Sequence, residues 1–354
     1  MTLRHLVRPS LALVLLGALA CNDLPTSLPL VPQTWILPLK ADTIRVAQFL
    51  PASVDTAGAL FVTTVKRDSV RQSLGQMCPG CGAINGTTAP IPAFSFALSH
   101  ADSFPSQVIS ITPGGFSLSF RINNGLGFDP LRPGVGKIGK IVTVITDSAG
   151  TVVATDSVDG TANSLSSGTS LTRNIPLGAT PIVKFLSIVA TVSVPTTDAV
   201  TIDTSASLQV TTLTDTAKLA GVTVQLTNQS IQSDSVSVDW TGIGTDIQSK
   251  LQGAELQLAI TNPFTASGGG TVSFKQGAAD LIPPKAITFA AGVSTSTVGV
   301  NQSEIKTLTS AGKFTVAVNA SVSGSGSGQS VTITPSQVAI VNVHVLLSAV
   351  IGGN

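Results

Sequence analysis

The chain has 354 residues, 10% charged and 4% aromatic with no tyrosine, and a formal net charge of +1. So few charges, with a mean hydropathy of +0.42, exclude a disordered chain, which needs the opposite balance; the length allows two or three ordinary domains. A near-neutral chain without Lys/Arg clusters has no electrostatic footprint for nucleic acid and no attraction to anionic lipid.

Residues 1–20, "MTLRHLVRPSLALVLLGALA", put Arg4 and Arg8 ahead of an apolar run from Leu11 to Leu19. That is signal-peptide length, too short for a comfortable membrane span. Its removal leaves 17 basic residues (19 less 2) against 18 acidic ones. The stretch Gly17-Ala18-Leu19-Ala20-Cys21 resembles the lipobox of bacterial lipoprotein precursors, with Ala18 where that family usually has Leu. The resemblance implies a lipid on Cys21, which becomes the mature N-terminus, and a membrane as partner through that anchor. Asn22 stands where Asp retains such proteins at the inner membrane, so the resemblance implies the outer membrane. Two or more acyl chains would hold the protein stably. Pro25, Pro29, Pro32 and Pro38 then predict an extended tether over 21–40.

Residues 41–112 read as an N-terminal β segment with one short helix. Val70, Leu74 and Met77 recur at i, i+4 and i+7 behind Asp68 and Ser69, which predicts a helix ending near Met77. "QMCPGCG" follows, with Cys78 and Cys81. In an oxidising compartment this pair is expected to form a disulfide. A redox-active pair opens a helix, whose N-terminal dipole stabilises a thiolate; here the helical pattern precedes the motif and Pro79-Gly80 breaks it. A closed zinc site needs two further ligands, and His100 and His344 are far apart in sequence, each alone. No metal and no cofactor are expected.

Residues 113–240 and 241–354 read as two β modules. Phe116, Leu118, Phe120 and Ile122 alternate with polar residues, a half-buried strand. Asp147-Ser-Ala-Gly150 separates two Val/Ile/Thr runs, a hairpin signal. Val189–Val194, Leu208–Leu213, Val222–Leu226, Phe314–Val322 and Val338–Leu347 are strand-like. Ile243, Ile247 and Leu251 predict a short helix stopping at Gly253. Asn301 with Glu304 predicts a capping box over a helix through Ile305 and Leu308 to Gly312. "FSLSFRINNGLGF" (116–128) parallels "AELQLAITNPFTA" (254–266), and 170–194 parallels 295–323 with small gaps, an internal repeat. Asn262-Pro263-Phe264, and more loosely Asn124 with Leu126, resemble the water-stress domain of late-embryogenesis-abundant proteins. That resemblance implies an immunoglobulin-like sandwich without known catalytic residues.

Other motifs carry no chemistry. "GVGKIG" (134–139) follows a Pro-rich turn and precedes a strand, the reverse of a dinucleotide-binding turn. Gly-x-Ser-x-Gly is missing from the sequence, and no close carboxylate pair is readable. The expectation is an all-β protein of two β-sandwich-like modules with short connecting helices, not an enzyme. It reads as a membrane-anchored cell-envelope lipoprotein with a structural or binding role, its partner an envelope protein or an apolar ligand. The alternative is a periplasmic carrier of lipid or another apolar ligand.

Overall fold

The structure, a computed structural model, describes residues 30–38, 42–65, 67–232, 235–242, 245–325 and 329–351. The signal segment, Cys21, most of the tether and Ile243 lie outside these residues. The described chain is built of antiparallel strands in several sheets. β-Branched, alternating sequence with turn residues between runs supports pleated, half-buried strands.

Two β-sandwiches stand out. In the first, one sheet runs Ser170–Pro176, Ser117–Asn124, Ser207–Thr212, Ser69–Ser73. The other runs Val152–Asp159, Lys140–Asp147, Phe185–Val194, Phe94–Ser103. In the second, one sheet runs Gly292–Val300, Leu251–Asn262, Val338–Ile351, Val31–Pro38. The other runs Lys285–Phe289, Ala266–Gln276, Lys313–Gly324, and ends on Gln229–Gln232 and Val236–Asp239. Taken in chain order within each sandwich, the strands stand sixth-third-eighth-first and fifth-fourth-seventh-second in both. The repeated sequences 116–128 and 254–266 occupy the third strand of each.

Neither sandwich is one contiguous stretch, as divisions at 41, 113 and 241 would make it. The first takes its opening strands from 69–103. The second takes its first strand from Val31–Pro38, so the whole first sandwich is inserted between the first and second strands of the second. Val31–Pro38, assigned by sequence to the tether, pairs with Val338–Ile351 from Val31↔Ile351 to Pro38↔His344. Pro32 and Pro38 are tolerated because this is an edge strand, where a missing N–H need not break the ladder.

A further sheet joins the two bodies. Thr216–Gln225 pairs with Leu60–Thr64 and Val108–Pro113, and also with Ser330–Ile333 from the second sandwich. One apolar core accordingly runs from the first sandwich into Phe264, Val322, Val331 and Ile333. A second core fills the far part of the second sandwich, with Trp240 edge-on to Phe314 at 5.1 Å.

The helices are short. Gln302–Ala311 is the one predicted from its capping box: the Asn301 side chain accepts from Glu304 N, and Gly312 closes the helix at φ 68°. Thr245–Lys250 is helical, but Leu251 already begins a strand. The predicted helix behind Asp68 shrinks to Leu74–Met77, capped by Ser73 with Gln76. Ser69–Ser73 instead pairs with Ser207–Thr211, because a ladder to a ready sheet outweighs a weak local helical pattern.

Candidate functional site

The two buried asparagines of the repeat do the same work in each sandwich. Asn124 Oδ1 accepts from Leu126 N at 2.9 Å, and its Nδ2 donates to Phe128 O at 2.8 Å and Leu165 O at 2.7 Å. Asn262 Oδ1 accepts from Phe264 N at 3.0 Å, and its Nδ2 donates to Ala266 O at 2.8 Å and Ala290 O at 3.2 Å. Each ties the end of the third strand to its own loop and to a distant carbonyl. Their polar atoms are spent on structure, as burial requires.

The interiors differ. A cavity of about 100 Å³ lies between the sheets of the second sandwich. Leu256, Leu258 and Ile260 line it from one sheet, and Val316, Val318 and Ala320 from the other. The Phe49 ring meets Phe264 edge-on at 5.4 Å beside it. None of the described lining residues titrates; the one polar side chain is Asn262, already bonded. In the first sandwich the gap by Leu98, Phe120 and Val210 is only about 20 Å³.

The fourth strands also differ. In the first sandwich Ile141, Thr143 and Ile145 stand opposite Val192, Ala190 and Ile188. In the second, Gly268, Gly270 and Val272 stand opposite Val322, Ala320 and Val318. The seventh strand is nearly the same in both, whereas the fourth carries glycine at two of these three positions in the second sandwich. A Cβ on Gly268 would run into Ser321 O, and one on Gly270 into Asn319 O. No side chain could be added there without moving backbone. Glycine inside a strand marks such close approach; beside Gly268 the Phe289 ring takes the space a side chain would need.

The sequence-predicted residues fall elsewhere. Cys21 lies outside the described residues. Cys78 and Cys81 are joined as a disulfide with Cα atoms 5.4 Å apart, and both side chains are buried. Cys78 ends the Leu74–Met77 helix, but Pro79 does not stop helical structure: Pro79–Ile84 is a 3-10 helix. Proline suits the first helical position, where its missing N–H would be unpaired anyway. "GVGKIG" is a turn before the Lys140–Asp147 strand, with Gly136 at φ 70°.

His100 is not alone. Its Nδ1 lies 3.6 Å from Asp68 Oδ2 and its Nε2 lies 3.9 Å from Asp102 Oδ2. Sequence missed this because Asp68 leads into Ser69–Ser73 in one sheet and His100 lies on Phe94–Ser103 in the other, so the packing of the two sheets brings them together. Among the described residues no three His, Cys, Asp or Glu side chains are grouped to hold a metal. His344 faces away from the cavity, opposite Gln257 and Pro38.

Ion pairs sit on the rims. Lys285 Nζ is 2.6 Å from Glu304 Oε1. That hydrogen bond, with the Asn301 N–H, holds the Glu304 carboxyl below its ordinary range. The Thr241 hydroxyl, Lys313 and the Thr241 N–H bring Asp239 down to about 2. Arg173 grips Asp156 through two bonds of 2.8 and 2.6 Å and lowers its carboxyl likewise.

No family model matches the chain, and no curated protein matches it in sequence. Among solved structures it is similar to a protein of Parabacteroides distasonis provisionally described as secreted, with 10% identity and a TM-score of 0.33 over 89% of this chain and 99% of that one. It is also similar to the PBSX exported protein XepA, with 11% identity and a TM-score of 0.19 over 84% and 95%. Likenesses this low carry no argument about function. No helix among the described residues is long and apolar enough to cross a membrane.

Proposed function

We propose that the protein is exported, held to the outer membrane by a lipid on Cys21, and serves binding rather than catalysis, with an apolar ligand in the second sandwich. The observation that carries this reading is the cavity: aliphatic walls, no titratable lining group among the described residues, and a paired asparagine as the one polar side chain. Such walls hold an apolar group and supply neither nucleophile nor acid nor base. The alternating apolar strands and the repeat support a binding body.

The anchor supports the same picture. Val31 begins the edge strand of the second sandwich only about 10 residues after Cys21, a reach of roughly 35 Å at most. A lipid there keeps that sandwich beside the bilayer, where apolar molecules are found. Two measurements test the proposal. Wild type is expected to stay with membranes through alkaline carbonate washing and Cys21→Ala to be released; retention of the variant would refute the anchor. Native mass spectrometry of the purified protein should show a co-purified apolar ligand, and turnover in a broad hydrolase or redox screen would refute a purely binding role.

A further inference from the structure

We infer that Gly292–Val300, the strand at one edge of the second sandwich, pairs antiparallel with the same strand of a second copy of the chain about a two-fold axis at Ser296, so that one sheet runs through both molecules. This goes beyond the binding role proposed above and depends on neither the cavity nor the anchor.

An edge strand presents a row of unpaired N–H and C=O groups, and natural edges are blunted by charge, proline, bulges or brevity. Among the described residues, every other edge strand longer than five residues carries a charge or a proline. Ser170–Pro176 has Arg173, Val152–Asp159 has Asp156, Phe94–Ser103 has Asp102, and Val31–Pro38 has its two prolines. Gly292–Val300, "GVSTSTVGV", has neither over nine residues. Its ladder to Leu251–Asn262 is unbroken from Ala254↔Val300 to Asn262↔Gly292, so no bulge turns the edge away. It makes no other backbone hydrogen bond to a described residue. The neighbouring edge of the facing sheet, Lys285–Phe289, is by contrast tied down: Thr288 N donates to Ser296 Oγ at 3.3 Å.

The partner that fits this edge is the strand itself. Val293, Thr295, Thr297 and Gly299 form its exposed face, with Val293 81% exposed. Antiparallel pairing about Ser296 sets Thr295 opposite Thr297 and Val293 opposite Gly299, twice each, as a two-fold contact requires. Paired threonines stabilise such a ladder. Gly299 leaves room for Val293, since even an added Cβ there would meet nothing within 4 Å. No like charges meet along the strand, and a chain of net charge +1 scarcely repels its copy. The first sandwich holds the contrast within the same molecule. Its corresponding strand, Ser170–Pro176, would bring Arg173 opposite Arg173 in such a contact, which is destabilising, and Arg173 is already held by Asp156.

The test uses the chain from residue 21 onward with Cys21→Ser, which keeps every described residue and needs no detergent. Sedimentation equilibrium from micromolar to submillimolar concentrations is expected to show its mass rising from one copy towards two. Thr295→Lys with Thr297→Lys sets lysine opposite lysine on the exposed face and is expected to raise the dimer dissociation constant about tenfold or more. Thr295→Lys with Thr297→Glu sets each lysine opposite a glutamate of the other copy and is expected to return the constant to within about threefold of the parent's. Should circular dichroism show that the double-lysine variant does not fold, amide hydrogen exchange of the parent decides: the amides of Gly292–Val300 are expected to slow about threefold or more as concentration rises, and unchanged exchange would overturn the contact. A parent that stays monomeric throughout, or a dimer that survives the double-lysine change, would overturn it too. A lysine–glutamate variant no tighter than the double-lysine one would overturn the antiparallel pairing about Ser296. The apolar cavity and the binding role stand or fall separately from all of these outcomes.

Discussion

Asn124 and Asn262 each make three hydrogen bonds from a buried carboxamide at the end of an otherwise apolar strand face. Removing one leaves an N–H and two carbonyls without partners, and each buried orphan costs about 1–3 kcal/mol. Asn124→Ala is therefore expected to destabilise the protein by about 2–4 kcal/mol, short of full additivity. Urea denaturation measures this, and a loss below about 0.5 kcal/mol would mean the loop is held by other contacts. The asparagine was legible as a repeated letter in the sequence. Its bonding was not, because Leu165 and Ala290 are 41 and 28 residues further on. The glycines at 268 and 270 were equally visible as letters. Only the folded strands show that they sit against the Ser321 and Asn319 carbonyls, with the Phe289 ring beside Gly268.

Among the elements, those with a purely local cause matched the sequence best. The Gln302–Ala311 helix has its capping box and closing glycine within one short stretch. The hairpin after Lys140–Asp147 has Asp147 accepting from Ala149 N and Thr151 N, with Gly150 at φ 77°. Where a partner strand competes, local pattern loses, as at Ser69–Ser73. Edge strands are also fastened by charge. Arg173 on Ser170–Pro176 grips Asp156 on Val152–Asp159, so the pair joins the two sheets of the first sandwich at one edge. The Arg173 hydrogen bond puts the Asp156 carboxyl lower in the folded state than in the unfolded chain, where it lies near about 3.9. The resulting stability is complete above that unfolded value and disappears as pH falls through the folded one. Asp239, brought to about 2 by Thr241 and Lys313, has the same sign. Asp156→Asn should thus cost about 1 kcal/mol near neutral pH and flatten the loss of stability on acidification, measured by denaturation at a series of pH values. An unchanged acid slope would remove the pair from any role in fastening the edges.

At the scale of the whole molecule, the second sandwich depends on residues from both ends of the described chain. Val31–Pro38 supplies its first strand, and Trp35 packs on its far core. Ser330–Ile333 is bonded across to Thr216–Gln225. A fragment beginning at residue 226 lacks both partners, which leaves an unpaired edge and uncovered apolar surface. Such a fragment is expected not to fold by circular dichroism and amide dispersion in NMR, and the full chain to melt in one calorimetric transition because its main core is continuous. A stable fragment with native dispersion would show that the second sandwich is self-sufficient.

The sequence alone determined the all-β class, the repeat, the capped helix and the Cys78–Cys81 pairing, because alternation, caps and a two-residue spacing between cysteines are written in neighbouring residues. The tertiary structure decided which strands close each sandwich, since an edge strand carries no mark of a partner some 300 residues away. It also decided that one copy of the repeat is filled and the other hollow. Volume between sheets depends on which side chains meet across strands, and that register is fixed only when the whole sandwich has formed.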